Sequence, residues 1–274
     1  MSTSFPVVDL ALARRLERAE GGANAACVDA RRDLHPHVGA AWMEIGGVYA
    51  MFDGVASPLT QTFGLGIFDR IRDAELDRLE AFFSERNAST FHEVSAFAPP
   101  ETLNLLSVRG YAPIEASTVL VLPTTAFSHG DGDGVVTVRE VGEAESALWT
   151  RVAAQGWSSE SAQLGSFIEE LGAVMTRARG VHCFLAELDG EPIAAGTLNI
   201  SNGVALLAGA STIPAARRRG AQRALLRARL DFAVARGIDL AMVVAQPGSA
   251  SQRNARRQGF RPVYVRAKWQ LGKS

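Results

Sequence analysis

The chain has 274 residues, 47% of them hydrophobic and 21% charged, with a net charge of −1. That balance fits a soluble globular protein of two domains at a prior of about 150 residues each, and it excludes a global electrostatic pull toward nucleic acid or membrane. Two cysteines, Cys27 and Cys183, exclude a disulfide scaffold and fit a reducing cytoplasm, and neither a signal peptide nor an apolar run near the ~20 residues of a bilayer span is read.

In chain order, His35-Pro-His37 has no further ligands nearby and reads as a loop rather than a metal site. Asp53-Gly54 is a turn, Ala74–Glu85 is an amphipathic helix, and Gly110-Tyr111-x-Pro113 is a corner before a strand. Residues 124–134, TTAFSHGDGDG, are small, polar and glycine-rich and predict a linker between a first domain, 1–123, and a second, 135–274. The second domain opens with a strand over Val135–Glu140 and helices over 143–155 and 159–178, with Trp157 and Ser158 in the loop between them. Strands over His182–Leu188, Pro192–Ile200 and Val204–Ile213 follow, joined by the hairpin turns Asp189-Gly190 and Asn202-Gly203. A helix over Ala221–Arg236 ends at Gly237. Leu240–Ala245 is a buried strand, a short helix covers about 250–257, and a last strand runs to Leu271. The order is β-α-α-β-β-β-α-β-α-β.

A constant offset of 149 residues lays the first half on the second. Gly110-Tyr111-x-Pro113 falls on Gly259-Phe260-x-Pro262, Asp53-Gly54 on Asn202-Gly203, and Ala74–Glu85 on Arg223–Val234. A single register that joins a turn, a helix and a corner indicates internal duplication.

The stretch from Thr212 to Leu226, TIPAARRRGAQRALL, carries the chemistry. A strand ends, an Arg/Gly loop follows, and a helix begins, so free N–H groups and the positive end of the dipole face an anion. Gly220 allows close approach to a phosphate, and Arg217, Arg218, Arg219 and Arg223 add charge. The absence of G-K-[ST] excludes a P-loop, and the absence of G-x-G-x-x-G excludes a dinucleotide fingerprint.

This stretch resembles the GNAT acyltransferase signature V-x-P-x-x-(R/Q)-x-x-G-x-(G/A), with Pro214, Arg217 and Gly220 matching, Thr212 standing for the valine and Gln222 departing from the small residue. The resemblance implies an α+β tandem GNAT fold, two mixed twisted sheets flanked by helices, with acetyl-CoA as co-substrate and no metal. It implies cofactor contacts from Ala210, Ser211 and Thr212 at the strand end, from Arg217, Arg218, Arg219 and Gly220 in the loop, and from Ala221, Gln222 and Arg223 at the helix start. It places Ser251 and Asn254 near the pantetheine arm, although a helix cap by Ser249 or Ser251 is an equal reading. Many relatives carry a tyrosine acid four residues before the Gly-Phe pair, where this chain has Ala255. Tyr264 and Ser251 are the substitute candidates for a catalytic acid, with a core role the leading expectation for Tyr264.

The implied reaction is direct transfer of the acetyl group to an amine of a small molecule or peptide, with strand-end N–H groups holding the oxyanion. Glu187 lies on the right strand for a base, but an exposed strand residue beside a hairpin is the leading reading; Trp157-Ser158 falls at the acceptor-side loop; adjacent His182 and Cys183 face opposite sides of a strand. Two other readings stand beside it: a CoA-binding regulator without turnover, favoured by Ala255 and Gln222, and a tRNA-dependent aminoacyl transferase, disfavoured by the neutral charge. In the first half, Pro214, Arg217 and Gly220 fall on Leu65, Phe68 and Ile71, so one CoA per chain is expected. Asp69 and Asp73 are expected to occupy the helix N-terminus there and repel an anion.

Overall fold

The computed structural model describes residues 4–127, 135–158 and 162–272. Residues 128–134 of the expected linker and the start of the expected helix at 159–161 lie outside them. The chain divides into two compact units that interleave along the sequence. One comprises Pro6–Leu120, Val244–Arg253 and Arg261–Ser274, and the other Met1–Phe5, Val121–Val243 and Asn254–Phe260.

The first unit opens with the 25-residue helix α1 (Leu10–Leu34), whose start is capped by Asp9 accepting from the Leu12 amide at 2.9 Å. The strands β1 (Ala41–Ile45), β2 (Val48–Phe52) and β3 (Gln61–Phe63) follow, then α2 (Asp73–Ser84), β4 (Phe91–Ser95), α3 (Pro100–Val108) and β5 (Tyr111–Pro123). The last strand of the sequence, β11 (Arg261–Leu271), belongs to this unit and pairs antiparallel with β4, Arg266 opposite Ser95. The strand order is β1-β2-β3-β4-β11-β5. Leu76, Leu79 and Phe83 of α2 pack on Val48, Phe52 and Val94 to form the core.

The second unit contains β6 (Val136–Val141), α4 (Ser146–Ser158), α5 (Ala162–Arg177), β7 (Val181–Leu188), β8 (Glu191–Ser201), β9 (Val204–Thr212), α6 (Ala221–Ala235) and β10 (Leu240–Ala245). Its strand order is β10-β9-β8-β7-β6, with β9 and β10 parallel. The helix α7 (Ala250–Arg257) precedes β11, so the element order read from the sequence is the order found. Both hairpin turns have two residues at positive φ, Asp189 and Gly190 at 53° and 82°, Asn202 and Gly203 at 48° and 70°. These are the angles that Asp-Gly and Asn-Gly tolerate best. Gly237, at φ 71°, ends α6 as expected, with the Ile238 amide reaching back to the Ala233 carbonyl at 3.1 Å.

The 149-residue register aligns α2 with α6, β4 with β10, α3 with α7 and β5 with β11. It fails before β2, because the single long α1 precedes β1 where the second half has two helices and β7. Asp53-Gly54 is not a two-residue hairpin either. Eight residues separate β2 from β3, and Asp53 is buried in an ion pair with Arg31 at 3.1 Å. Ser57 also donates to its carboxylate at 2.7 Å. Trp157 and Ser158 lie in the last turn of α4 rather than in a loop. The helix read as ending at residue 155 runs on through Gly156, whose close packing is described below.

β11 is held in the first unit by a buried polar cluster. The Tyr264 hydroxyl donates to Glu17 at 2.9 Å, and Arg266 Nη1 reaches Glu17 at 3.4 Å and Glu20 at 2.7 Å. Arg266 Nε lies 3.7 Å from Glu93, and Lys268 bridges Glu93 and Glu115 at 3.6 and 4.0 Å. Four carboxylates thus face two cations, and burial pushes the Glu17 carboxyl up to about 7 against the pull of Arg266. An unfolded glutamate releases its proton near 4.5, so the folded chain binds the extra proton between these values. The resulting stabilisation is complete below the lower value and is lost as the pH rises through about 7. Glu17→Gln, neutral at every pH, should therefore gain in Tm relative to the wild type as the pH rises from about 5 to about 8. A Tm difference independent of pH would show that Glu17 is ionised throughout.

Candidate functional site

β9 and β10 begin as paired neighbours and then part. Val204, Ala205 and Leu206 pair with Leu240, Ala241 and Met242, and among the described residues the register ends there. The rest of β9 continues on β8 alone, through an irregularity. Ala195 pairs with Ser211 and Thr197 with Ala208, so Gly209 and Ala210 oppose the single Gly196. This is a β-bulge, and Gly209 has φ 60°, the left-handed conformation that suits glycine.

Beyond Thr212 a tight turn at Pro214–Ala216 leads to Arg217, Arg218, Arg219 and Gly220, all exposed. Arg218 has φ 65° and Gly220 φ 84°. Gly220 is the N-cap of α6 and offers no side chain to the first turn, which also lacks acidic residues. A Cβ built on Gly220 meets nothing within 4 Å. The N-terminus of α6 is therefore bare, positive and open, and Arg223 is exposed one turn in. Gln222, the departure from the signature, folds back: its amide donates to the Thr212 hydroxyl at 2.8 Å. It ties the helix start to the strand end and leaves the mouth of the helix clear.

The strand end is braced from the other side. Ser211 is buried and donates to the Ala153 carbonyl of α4 at 3.0 Å. Gly156 of α4 lies directly against it; a Cβ there would stand 2.5 Å from the Ser211 Cβ and 3.0 Å from the Thr212 amide nitrogen. Below the bulge, Arg229 of α6 is 3% exposed and donates from Nη1 to the Thr197 carbonyl at 2.8 Å and the Ala208 carbonyl at 3.2 Å. Neither Gly156, Gly209 nor Arg229 was among the sequence candidates. The signals were an isolated glycine inside a strand and an arginine within the apolar stripe Leu225, Leu226, Leu230.

The remaining candidates are dispersed. Ser249 caps α7, accepting from the Gln252 amide at 3.1 Å, which leaves Ser251 exposed in the first turn. Asn254 is half-buried and accepts from Arg257 at 3.3 Å, and Ala255 is buried. The bulge, the Arg217–Arg223 stretch and Asn254 belong to the second unit; Ser251 and Tyr264 belong to the first. Burial and Glu17 push the Tyr264 hydroxyl well above its ordinary value. Glu187 is bound by Arg139 at 2.8 Å, which also holds Glu145 at 2.7 Å. His182 pairs with Glu140 at 2.7 Å, while Cys183 is buried in the core. Trp157 has a buried indole N–H without a partner. A groove of 730 Å³ between α4 and α5 is lined by Glu143, Thr150, Arg151, Glu169 and Arg177 among others. Among the described residues no His, Cys, Asp or Glu cluster is arranged to hold a metal, and no helix is long and apolar enough to cross a membrane.

The equivalent region of the first unit is closed. Thr62 and Phe63, which fall on Ser211 and Thr212 in the repeat, pair directly with His92 and Glu93 of β4. Leu65 and Ile71, in the places of Pro214 and Gly220, are core residues. Arg14 of α1 holds the Ile67 and Phe68 carbonyls at 2.5 and 3.1 Å. At the start of α2 it is Glu75, not Asp69 or Asp73, that takes the free amide, that of Arg72, at 3.0 Å. Asp73 pairs instead with Arg109 at 3.3 Å.

Residues 143–260 match the family model described as the Acetyltransferase (GNAT) family. Over the whole chain the structure is similar to a GCN5-related N-acetyltransferase from Kribbella flavida, at 19% identity over 91% of this chain and 96% of that one, with a TM-score of 0.62. It is also similar to a tandem GNAT protein from the clavulanic acid biosynthesis pathway, at 13% identity over 83% and 79% of the two chains, with a TM-score of 0.59. A GCN5-related N-acetyltransferase from Sphaerobacter thermophilus aligns over 99% and 98% of the chains, at 14% identity and a TM-score of 0.54. At these identities the likeness concerns the fold. No curated protein matches the chain significantly.

The brace on β9 is testable. Gly156→Val places two extra methyl groups on a Cβ that already overlaps Ser211, and should cost about 1–3 kcal/mol by denaturant unfolding. An unchanged midpoint would show that α4 and the end of β9 separate freely.

Proposed function

We propose that the chain, whose residues 143–260 match the Acetyltransferase (GNAT) family model, transfers an acetyl group from acetyl-CoA to an amine of a small molecule or peptide. The observation that carries this reading is the parting of β9 from β10 beside the bare N-terminus of α6. A pyrophosphate fits the first-turn amides at Gly220, Ala221 and Gln222, with Arg217, Arg218, Arg219 and Arg223 around it. The thioester would lie along Ala210, Ser211 and Thr212, and Asn254 would flank the pantetheine arm. In the reaction a neutral amine attacks the thioester carbonyl, the bulge amides take the oxyanion, and the C–S bond breaks as the amine loses its proton. A thiolate is a good leaving group, so the acid is helpful rather than obligatory.

The same reading gives one CoA per chain, because the first unit pairs the strands that the second unit parts and buries the side chains that replace the loop. Calorimetric titration of the full chain with CoA should give a stoichiometry near one, and Gly220→Glu, which sets a carboxylate at the mouth of α6, should abolish binding. A stoichiometry of two, or unchanged affinity in a folded Gly220→Glu protein, would overturn the site.

A second reading, acetyl-CoA binding without turnover, is favoured by Ala255, which is buried where the resemblance expects a tyrosine, and by the commitment of Tyr264 to Glu17. Free-thiol release with a panel of amines separates the two. Tyr264→Phe should lower stability by about 1 kcal/mol through the lost bond to Glu17 and leave kcat unchanged. A roughly 10²-fold fall in kcat at unchanged CoA affinity would instead make the Tyr264 hydroxyl the acid.

A further inference from the structure

A buried arginine is costly to keep, and Arg229 is held by main-chain oxygens. Arg229 is 3% exposed, and among the described residues burial alone acts on its charge, with no carboxylate beside it. Burial alone shifts it, down to about 10, so it remains a cation at neutral pH. Its N–H groups go to main-chain oxygens: Nε to Leu225 at 3.0 Å, and Nη1 to Thr197 at 2.8 Å and Ala208 at 3.2 Å. Thr197 and Ala208 are the paired residues that close the bulge on one side. Gly196, opposite the bulge, carries no side chain, and a Cβ there would stand 3.2 Å from Arg229 Nη1. The bulge and the cation are therefore built around each other.

The decisive geometry lies in one peptide group. The oxygen of the Ala208–Gly209 peptide receives Arg229 Nη1 and also the Thr197 hydroxyl, the latter at 3.1 Å. The N–H of that same peptide belongs to Gly209, the bulge residue at φ 60°. A cation on the carbonyl end of an amide draws electron density from its nitrogen and makes the N–H a stronger donor, most of all in a dry interior.

We infer that Arg229 is a positioning residue for acyl transfer, a fixed charge behind β9 that holds the bulge and polarises the Gly209 amide toward the thioester oxygen. This rests on the acetyl-CoA reading above. Arg229 touches no substrate and moves no proton. It acts through the peptide plane, so its charge and its two-oxygen grip both matter.

The test uses the full chain and acetyl-CoA labelled isotopically at the acetyl carbonyl, with infrared difference spectra of the bound thioester. The wild type should bind CoA and move the carbonyl stretch to lower frequency than in free acetyl-CoA. Arg229→Met should bind CoA within about threefold of the wild type, return the band toward its free position, and lower kcat at least roughly tenfold with any amine that is turned over. Arg229→Lys should restore part of the band shift. A wild-type band at the free position would overturn the inference while leaving the CoA site intact, whether or not the variants fold. An unshifted band difference between wild type and a folded Arg229→Met protein would also overturn it, leaving Arg229 as packing. A wild type that binds no CoA would remove both the inference and the reading beneath it.

Discussion

A backbone amide that leaves the ladder of a sheet must find another partner, and most of the differences between the two halves of this chain follow from how that demand is met. In the second unit β9 departs from β10, and the departure frees groups on both sides of the strand. Carbonyls of the bulge are satisfied from beneath by Arg229 and Thr197, and the strand end is anchored by Ser211 on α4 and by Gln222 on Thr212. The first turn of α6 is left with no side-chain cap and no acidic residue. In the first unit the same demand is met internally. β3 slides until Thr62 and Phe63 pair with β4, α1 lends Arg14 to the loop carbonyls, and Glu75 takes the amide at the start of α2. One half leaves the start of this helix uncapped, and the other closes its counterpart with Glu75.

This contrast separates the positions of the repeat that tolerate exchange from those that do not. The elements that carry the repeat, α2 with α6 and β4 with β10, are packing elements whose apolar faces tolerate exchange of one hydrophobic side chain for another. The loop is different. Ile71 in place of Gly220 closes the approach to a phosphate by volume and by backbone preference, and its burial gives the position a core role. Leu65 and Ile71 support the core of their unit, so neither position can be opened by a single change without cost to packing.

Much of the fold was legible because the second half obeys local rules. Asp-Gly and Asn-Gly between alternating segments fixed both hairpins, Gly237 fixed the end of α6, and the Arg/Gly loop lies, as read, between a strand and an amphipathic helix. The failures were tertiary. The helix read as ending at residue 155 runs on to Ser158, through a Gly156 that lies too close to Ser211 for any side chain. Asp53-Gly54 reads as a hairpin, yet Asp53 answers to Arg31, twenty-two residues earlier. Glu17 and Tyr264, nearly the full length of the chain apart, share a hydrogen bond that no local pattern announces. Arg229 was visible as an arginine in an apolar stripe, but its meaning depends on a bulge whose register only the paired strands reveal.

The placement of β11 has a consequence for synthesis. This strand lies between β4 and β5, although more than 130 residues of sequence separate β5 from it. As the chain leaves the ribosome, β4 and β5 emerge with an empty lane between them, and the cluster around Glu17 and Glu93 waits without Arg266 and Lys268. The half translated first is thus completed last. Until then its exposed strand edges are the surface most open to mispairing or to a chaperone. The first unit cannot close until the last strand of the chain has been made.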